Sequence, residues 1–246
     1  MDKLIYTAMT GASHTLQQQA AVSQNLANTN TPGFRAAINT FRAVPLVGEG
    51  LATRTFVVDS TAGADFSQGV MQSTGRSLDV AVNGPGWITL QTADGAEAYT
   101  RNGSFQLTPS GVLQSRSGLN VLGDTGPITI PPDTQVTIAK DGTISTVPTS
   151  NQVTSVVVIG RLKLTNPAQE QLVRGNDGLF RSVDGKAADA DASVTVSSGN
   201  LESSNVNAVE AMVNMITLAR QFDMQMKMLT TADANANRAS QILSVG

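Results

Sequence analysis

The sequence predicts a mixed α+β protein, with a long helix at each end and an antiparallel β-rich middle. Three observations carry this. Residues 2 to about 29 contain no proline and one glycine, Gly11. Residues 44 to 202 are punctuated by turn dipeptides. From Asn205 onward, apolar residues recur every three or four positions, with no proline or glycine before Gly246.

In the first segment Ile5, Met9, Ala12, Leu16, Ala20 and Leu26 recur roughly at helical spacing. Gln17, Gln18, Gln19, Ser23 and Gln24 thin that stripe. At about 1.5 Å per residue the helix is roughly 40 Å long. It stops at Asn28-Thr29-Asn30-Thr31-Pro32-Gly33. Pro32 disfavours helix at Thr31 and has no N–H, while Gly33 supplies a positive φ for a type II turn closing at Phe34.

The middle carries turn pairs at Asn83-Gly84, Asp94-Gly95, Asn102-Gly103, Ser110-Gly111, Asp141-Gly142, Asp177-Gly178 and Asp184-Gly185. Strand-like runs lie between them at 78–82, 87–91, 98–101, 105–108, 135–139, 153–165 and 193–197. No helical pattern separates these runs, so an antiparallel sandwich or distorted barrel is expected. Pro131-Pro132 and the stretch 146–152 read as loops. The chain therefore divides into a helix at 1–30, an extended linker with a turn and short strands at 31–77, a β-rich domain at 78–202, and a helix at 203–246.

The last segment opens with Asn207 and Glu210, spaced as a capping box. Positions 212, 215, 219, 222, 226, 229, 233, 236, 240 and 243 then follow strict 3-4 spacing, mostly apolar, as in a coiled-coil seam. Val209, Val213 and Ile216 add a second apolar stripe. A surface this wide either packs on the N-terminal helix alone or also on other copies, and the polar N-terminal helix favours the second. The cluster Met212, Met215, Met224, Met226 and Met228 serves as core filling, and its unbranched side chains also tolerate non-identical neighbours.

Composition excludes several functions. Charged residues are 14% of the chain, against a typical share of about 25%. The net charge is -3 and no basic block occurs, so no nucleic-acid partner is expected. With no cysteine and a single histidine, His14, there is no disulfide, thiolate centre or multi-histidine metal site, and no cofactor is expected. No apolar run is long enough to span a membrane, and the N-terminus lacks the apolar stretch of a cleavable signal, so direct membrane insertion is not expected. Nucleotide-binding, zinc-protease and nucleophile-elbow motifs are all missing. Asp94, Asp141, Asp177 and Asp184 each precede glycine and read as turn residues rather than paired catalytic carboxylates. His14 reads as a surface helical residue, and Asp189 and Asp191 as a solvated loop.

Three ordered motifs resemble one family. Asn25-Leu26-Ala27-Asn28-Thr29-Asn30-Thr31-Pro32-Gly33-Phe34-Arg35 resembles the N-terminal signature of the bacterial flagellar rod and hook axial proteins. Leu78-Asp79-Val80-Ala81-Val82, Gly86-Trp87 and Tyr99-Thr100-Arg101-Asn102-Gly103-Ser104-Phe105 resemble its central signature. Leu201-Glu202-Ser203-Ser204-Asn205-Val206, with Met212, Met215-Ile216, Arg220 and Phe222, resembles its C-terminal one. The opening Met1–Met9, the run Phe41-Arg42-Ala43-Val44-Pro45, Met224-Gln225-Met226-Lys227 and Trp87 point to its proximal-rod branch. Arg35 stands where relatives often carry Lys, and Asp223 where they often carry Glu.

The resemblance implies that the terminal helices pair in an inner, coiled-coil-like tubular layer with the β domain outside. It implies a structural subunit, exported through the flagellar type III apparatus, that polymerises in the periplasm with copies of itself and other rod proteins. The implied assembly residues are Leu16 and Leu26 on the first helix, then Asn28, Pro32, Gly33 and Phe34 at its exit. On the last helix they are Met212, Met215, Ile216, Phe222, Met226 and Leu229, with Arg220 as a candidate for inter-subunit pairing. A distal-rod or hook subunit is the alternative within the family. A secreted binding module and a cell-wall hydrolase are the rivals from other classes.

Overall fold

The computed structural model describes residues 2–45, 55–148 and 156–244. They fall into two compact units, one comprising Met1–Asn28, Ala36–Asp65 and Val206–Gly246, the other Thr29–Arg35 and Phe66–Asn205. The stretch 31–77, expected as a linker, is thus divided between both units.

The first unit holds helix α1 (Asp2–Ala27), strands β1 (Ala37–Pro45) and β2 (Thr55–Ala64), and, at the far end of the chain, helix α2 (Ala208–Ser244). At 26 and 37 residues the helices are about 39 and 56 Å long. They run side by side and antiparallel: Thr15 reaches Gln225, while 18–25 lie beside 214–221. Asn207 caps α2, its Oδ1 accepting the N–H of Val209 at 3.0 Å and of Glu210 at 3.3 Å.

On α2 the buried and half-buried residues are Ala208, Ala211, Met215, Leu218, Ala219, Phe222, Gln225, Leu229, Ala232, Ala236 and Ala239, and all but Ala219 follow a 3-4 alternation. This shares Met215, Ala219, Phe222, Leu229 and Ala236 with the expected seam, while the inward places expected for 212, 226, 233 and 240 fall one residue earlier. Asp233 and Ser240, the polar breaks in the expected stripe, give way to Ala232 and Ala239. Met212 and Met226 face solvent instead, at 52% and 41% exposure. On α1 the buried residues are Ala12 and Thr15, while Met9 and Leu16 are exposed. The side chains of Ile5 and Leu243 lie outside the described set.

Within the stretch expected to carry short strands, β1 and β2 pair antiparallel as a hairpin. It is held to α1 by Asn25, whose Oδ1 accepts the Ala37 N–H at 2.7 Å while its Nδ2 donates to the Ala37 carbonyl at 2.9 Å. His14 adds a second tie: its Nε2 is 2.6 Å from the Val57 carbonyl and its ring meets Phe41 edge-on. A carbonyl only accepts, so that nitrogen carries the proton. His14 is therefore a bridge between helix and hairpin, not a free surface side chain.

The second unit begins with β3 (Met71–Ser73), β4 (Val80–Asn83), β5 (Trp87–Gln91), β6 (Glu97–Thr100), β7 (Phe105–Leu107), β8 (Leu113–Ser115), β9 (Asn120–Gly123) and β10 (Gly126–Pro127). It continues with β11 (Thr134–Ile138), β12 (Thr143–Pro148), β13 (Val157–Arg161), β14 (Leu164–Thr165), β15 (Leu172–Arg174), β16 (Phe180–Ser182), β17 (Thr195–Ser198) and β18 (Asn200–Glu202). The main sheet runs β15-β16-β6-β5-β9-β8-β7, with β10 on β9 and β14 on β5. A second sheet is β11-β12-β13, and β4 pairs with β17 and β3 with β18. The expected antiparallel, β-rich character holds, but among the described residues no sheet closes into a barrel.

Val80, Val82, Ile88, Leu90, Phe105, Leu113, Ile144 and Leu164 form the heart of a hydrophobic core in this unit. The stretch 146–148, expected as loop, belongs to β12, and 149–152 lie outside the described residues. The expected run at 153–165 breaks into β13 and β14, with 153–155 again outside. Of the glycines in the expected turn pairs, only Gly103 lacks a positive φ. Its small size serves another purpose, since a Cβ there would fall 1.7 Å from the Val80 carbonyl oxygen.

Candidate assembly interface

The three sequence motifs meet in the second unit. Phe34 donates its N–H to the Thr31 carbonyl at 3.3 Å, and Gly33 has φ +68°, the turn expected from Pro32-Gly33. The Gly33 N–H donates to the Glu202 carbonyl at 2.7 Å, and the Asn205 N–H to the Phe34 carbonyl at 3.3 Å. The segments entering and leaving the β unit are therefore clipped backbone to backbone. Gly33 also sits against the central motif, for a Cβ there would lie 2.3 Å from the Arg101 carbonyl carbon.

Beneath this turn lies a buried charge cluster. The Glu202 carboxylate is 2.6 Å from Arg35 Nη1 and 3.2 Å from Arg101 Nη1. All three side chains are almost wholly out of water, at 0%, 1% and 4% exposure. Glu202 also accepts the Gly69 N–H at 2.9 Å, and Arg101 donates to the carbonyls of Val82 and Gly84. Burial lowers the Arg101 pKa to about 10; Glu202 opposes the fall and Arg35 adds to it. Arg174 donates to the Arg35 carbonyl at 3.0 Å and lies over the Phe34 ring. Trp87 packs on Phe180 at 4.7 Å between ring centroids, with Phe66 closing the group.

Arg35, Arg101 and Glu202 were missed as a group by sequence reasoning. A signal was present: each is a charged residue within a different one of the three motifs, in a chain poor in charge. Spacing along the chain gives no hint that they meet.

The expected assembly residues separate by exposure. Phe34 is buried, and Leu26, Asn28, Pro32, Gly33, Met215, Phe222 and Leu229 are half-buried. Leu16, Met212, Ile216, Arg220 and Met226 are exposed. Arg220 makes no ion pair among the described residues. The exposed apolar side chains gather on faces. At about 100° per residue, Val209, Met212, Val213 and Ile216 form one patch roughly 140° around α2 from the inward seam. Tyr6, Met9 and Leu16 form another patch on α1. Among the described residues no cluster of ligating side chains suits a metal ion, and no helix is long and apolar enough to cross a membrane.

Comparison with known proteins identifies the family of the chain. A family model described as flagella basal body rod protein matches residues 5–35. The flagellar hook protein FlgE/F/G D1 domain matches 81–146, and the flagellar basal body rod FlgEFG protein C-terminal model matches 197–242. The flagellar basal-body rod protein FlgF of Escherichia coli is 50% identical over 251 aligned residues, covering 100% of both chains. The chain belongs to the flagellar basal-body rod protein family. FlgF of Salmonella typhimurium matches equally, at 50% identity with 100% of both chains covered. FlgG of Bacillus subtilis is 30% identical over 95% of this chain and 96% of its own. The rod-family chain is thus a structural subunit of the basal-body rod, of the FlgF type, and not an enzyme. The binding-module and hydrolase readings fall with that assignment.

Proposed function

We propose that this rod-family subunit polymerises helically in the proximal rod, with α1 and α2 in an inner, coiled-coil-like layer and the β unit outside it. The single observation that carries this reading is the patch of Val209, Met212, Val213 and Ile216, each more than half exposed, on the side of α2 turned away from its seam. Such side chains are worth about 1.5–3 kcal/mol each when fully buried, so neighbouring subunits gain by covering them. Leu16, Met226 and the candidate ion-pairing group Arg220 belong to the same outward set. Met215, Phe222 and Leu229 hold the helices of one subunit together, and Pro32, Gly33 and Phe34 fix the exit turn after α1.

Assembly of this kind makes the chain part of the shaft that carries torque and of the wall around the export channel. Its partners are then copies of itself, other proximal and distal rod subunits, and the flagellar type III export apparatus. The site of assembly is the periplasmic part of the basal body. The absence of cysteine suits a chain that travels unfolded between compartments.

Deletion of the gene, followed by a motility assay and electron microscopy of isolated basal bodies, tests the reading. Non-motile cells whose basal bodies lack a completed rod are expected. Complete rods without hooks would move the subunit to the hook, and normal flagella would contradict a place in the axial structure.

A further inference from the structure

Beside the charge cluster the β unit holds a cavity of about 150 Å³. Arg35, Arg101, Trp87 and the amides Gln68, Asn166 and Gln169 line it, and among the described residues no carboxylate does. Among the described residues, Glu202 is the only acidic group ion-paired with these two arginines. One guanidinium nitrogen of each arginine is spent on it. Among the described residues, the buried Nε and Nη2 of Arg35 and Nε of Arg101 make no hydrogen bond. Buried N–H groups without an acceptor are costly, and two cations facing one anion in a low-dielectric interior leave an uncompensated charge.

We propose that this cavity binds a carboxylate or small oxyanion, held by Arg35 and Arg101 with the amides at its edge. The volume admits formate, acetate or phosphate. Guanidinium forks bind such anions with charge-assisted, paired hydrogen bonds. Two sources share this chemistry: a free anion, or an Asp or Glu side chain of a neighbouring subunit. The second rests on the rod reading; the site itself does not.

Trp87 is the single tryptophan of the chain, so its fluorescence reports on the cavity. The full-length purified monomer is titrated with formate, acetate and phosphate against chloride at fixed ionic strength. A saturable fluorescence change and a rise in Tm of a few degrees are expected. Gln169→Glu places a carboxylate at the edge of the cavity; it is expected to raise Tm and weaken the anion response at least tenfold. Either response establishes the site. Flat fluorescence with every anion, together with an unchanged or lower Tm for Gln169→Glu, overturns it. The same variant in cells separates the sources: reduced swimming points to a neighbour's carboxylate, and normal swimming to a free anion. The monomer measurements involve no assembly, so their failure is distinct from failure of the rod reading.

Discussion

The Arg35 guanidinium lies 2.6 Å from the Glu202 carboxylate, with both side chains sealed from water. One comes from the segment that enters the β unit and the other from the segment that leaves it, so the pair joins two distant parts of the chain. Arg101, from the central motif, completes the cluster. The three motifs that mark the family are thus also three sides of one buried contact.

Glu202→Gln keeps the shape but removes the only ion-pair partner that Arg35 and Arg101 have among the described residues. Breaking a buried pair by removing one side costs about 3–5 kcal/mol. Urea unfolding of the monomer is expected to show a loss of that size, with the midpoint displaced and the m-value unchanged. A loss under about 1 kcal/mol would mean that the cluster contributes little to stability.

Gly33→Ala is expected to be far more disruptive than Gly75→Ala. Both glycines have nearly the same positive φ, +68° and +71°, so both variants carry a backbone strain of about 1–2 kcal/mol. A Cβ on Gly75 meets nothing within 4 Å, whereas one on Gly33 meets the Arg101 and Asn102 backbone at 2.3 and 2.4 Å. The difference in unfolding free energy between the two variants isolates the clash. Equal losses would remove the close approach from the account.

The Asp177–Arg181 pair gives a pH signature. The Arg181 side chain holds the Asp177 carboxyl below its ordinary value. A carboxyl depressed in the folded state adds stability above its unfolded pKa of about 3.9, and that stability disappears as pH falls through the folded value. Both side chains are substantially exposed, at 44% and 39%, so the contribution is under about 1 kcal/mol. Asp177→Asn is expected to lower Tm slightly at pH 7 and to converge with the unmodified protein near pH 2. A gap that widens in acid would contradict the assignment.

Much of this was legible in the sequence, and the failures have physical causes. The two helices and the Pro32-Gly33 turn follow from local chemistry: periodicity, capping at Asn207, and a glycine where φ must be positive. The phase of α2 was legible only in part because the helix is apolar on two faces. Where Met212 and Ile216 compete with Ala211 and Leu218, hydropathy alone does not say which pair turns inward. Polar residues deepen the ambiguity, since Gln225 and Thr15 occupy the inward faces and meet at 3.2 Å. The choice between a sandwich and a distorted barrel was not legible because turn spacing reports that strands alternate, not which strands pair. The charge cluster depends on three contacts between distant segments, which no local pattern encodes.

Phe222 and Met212 are both apolar, yet Phe222 is half-buried in the seam and Met212 faces solvent. Phe222→Asp is therefore expected to weaken the helical unit of the monomer, and with it assembly. Its loss of helix-unit stability reaches about 1.5–3 kcal/mol, measured by hydrogen exchange along α2. Unaltered protection would show that the seam does not hold this helix.

The most direct test of the assembly surface is the double variant Met212→Asp/Ile216→Asp, expressed in place of the natural gene. Both residues are exposed, so monomer stability is expected to change by no more than about 0.5 kcal/mol per substitution. The measurement is incorporation of the variant into isolated basal bodies, read by immunoblot and electron microscopy beside a swimming assay. The account predicts a folded subunit absent from the basal bodies, with rods unfinished and cells non-motile. Normal incorporation with normal swimming would contradict it, because the outward apolar face of α2 would then have no neighbour to meet.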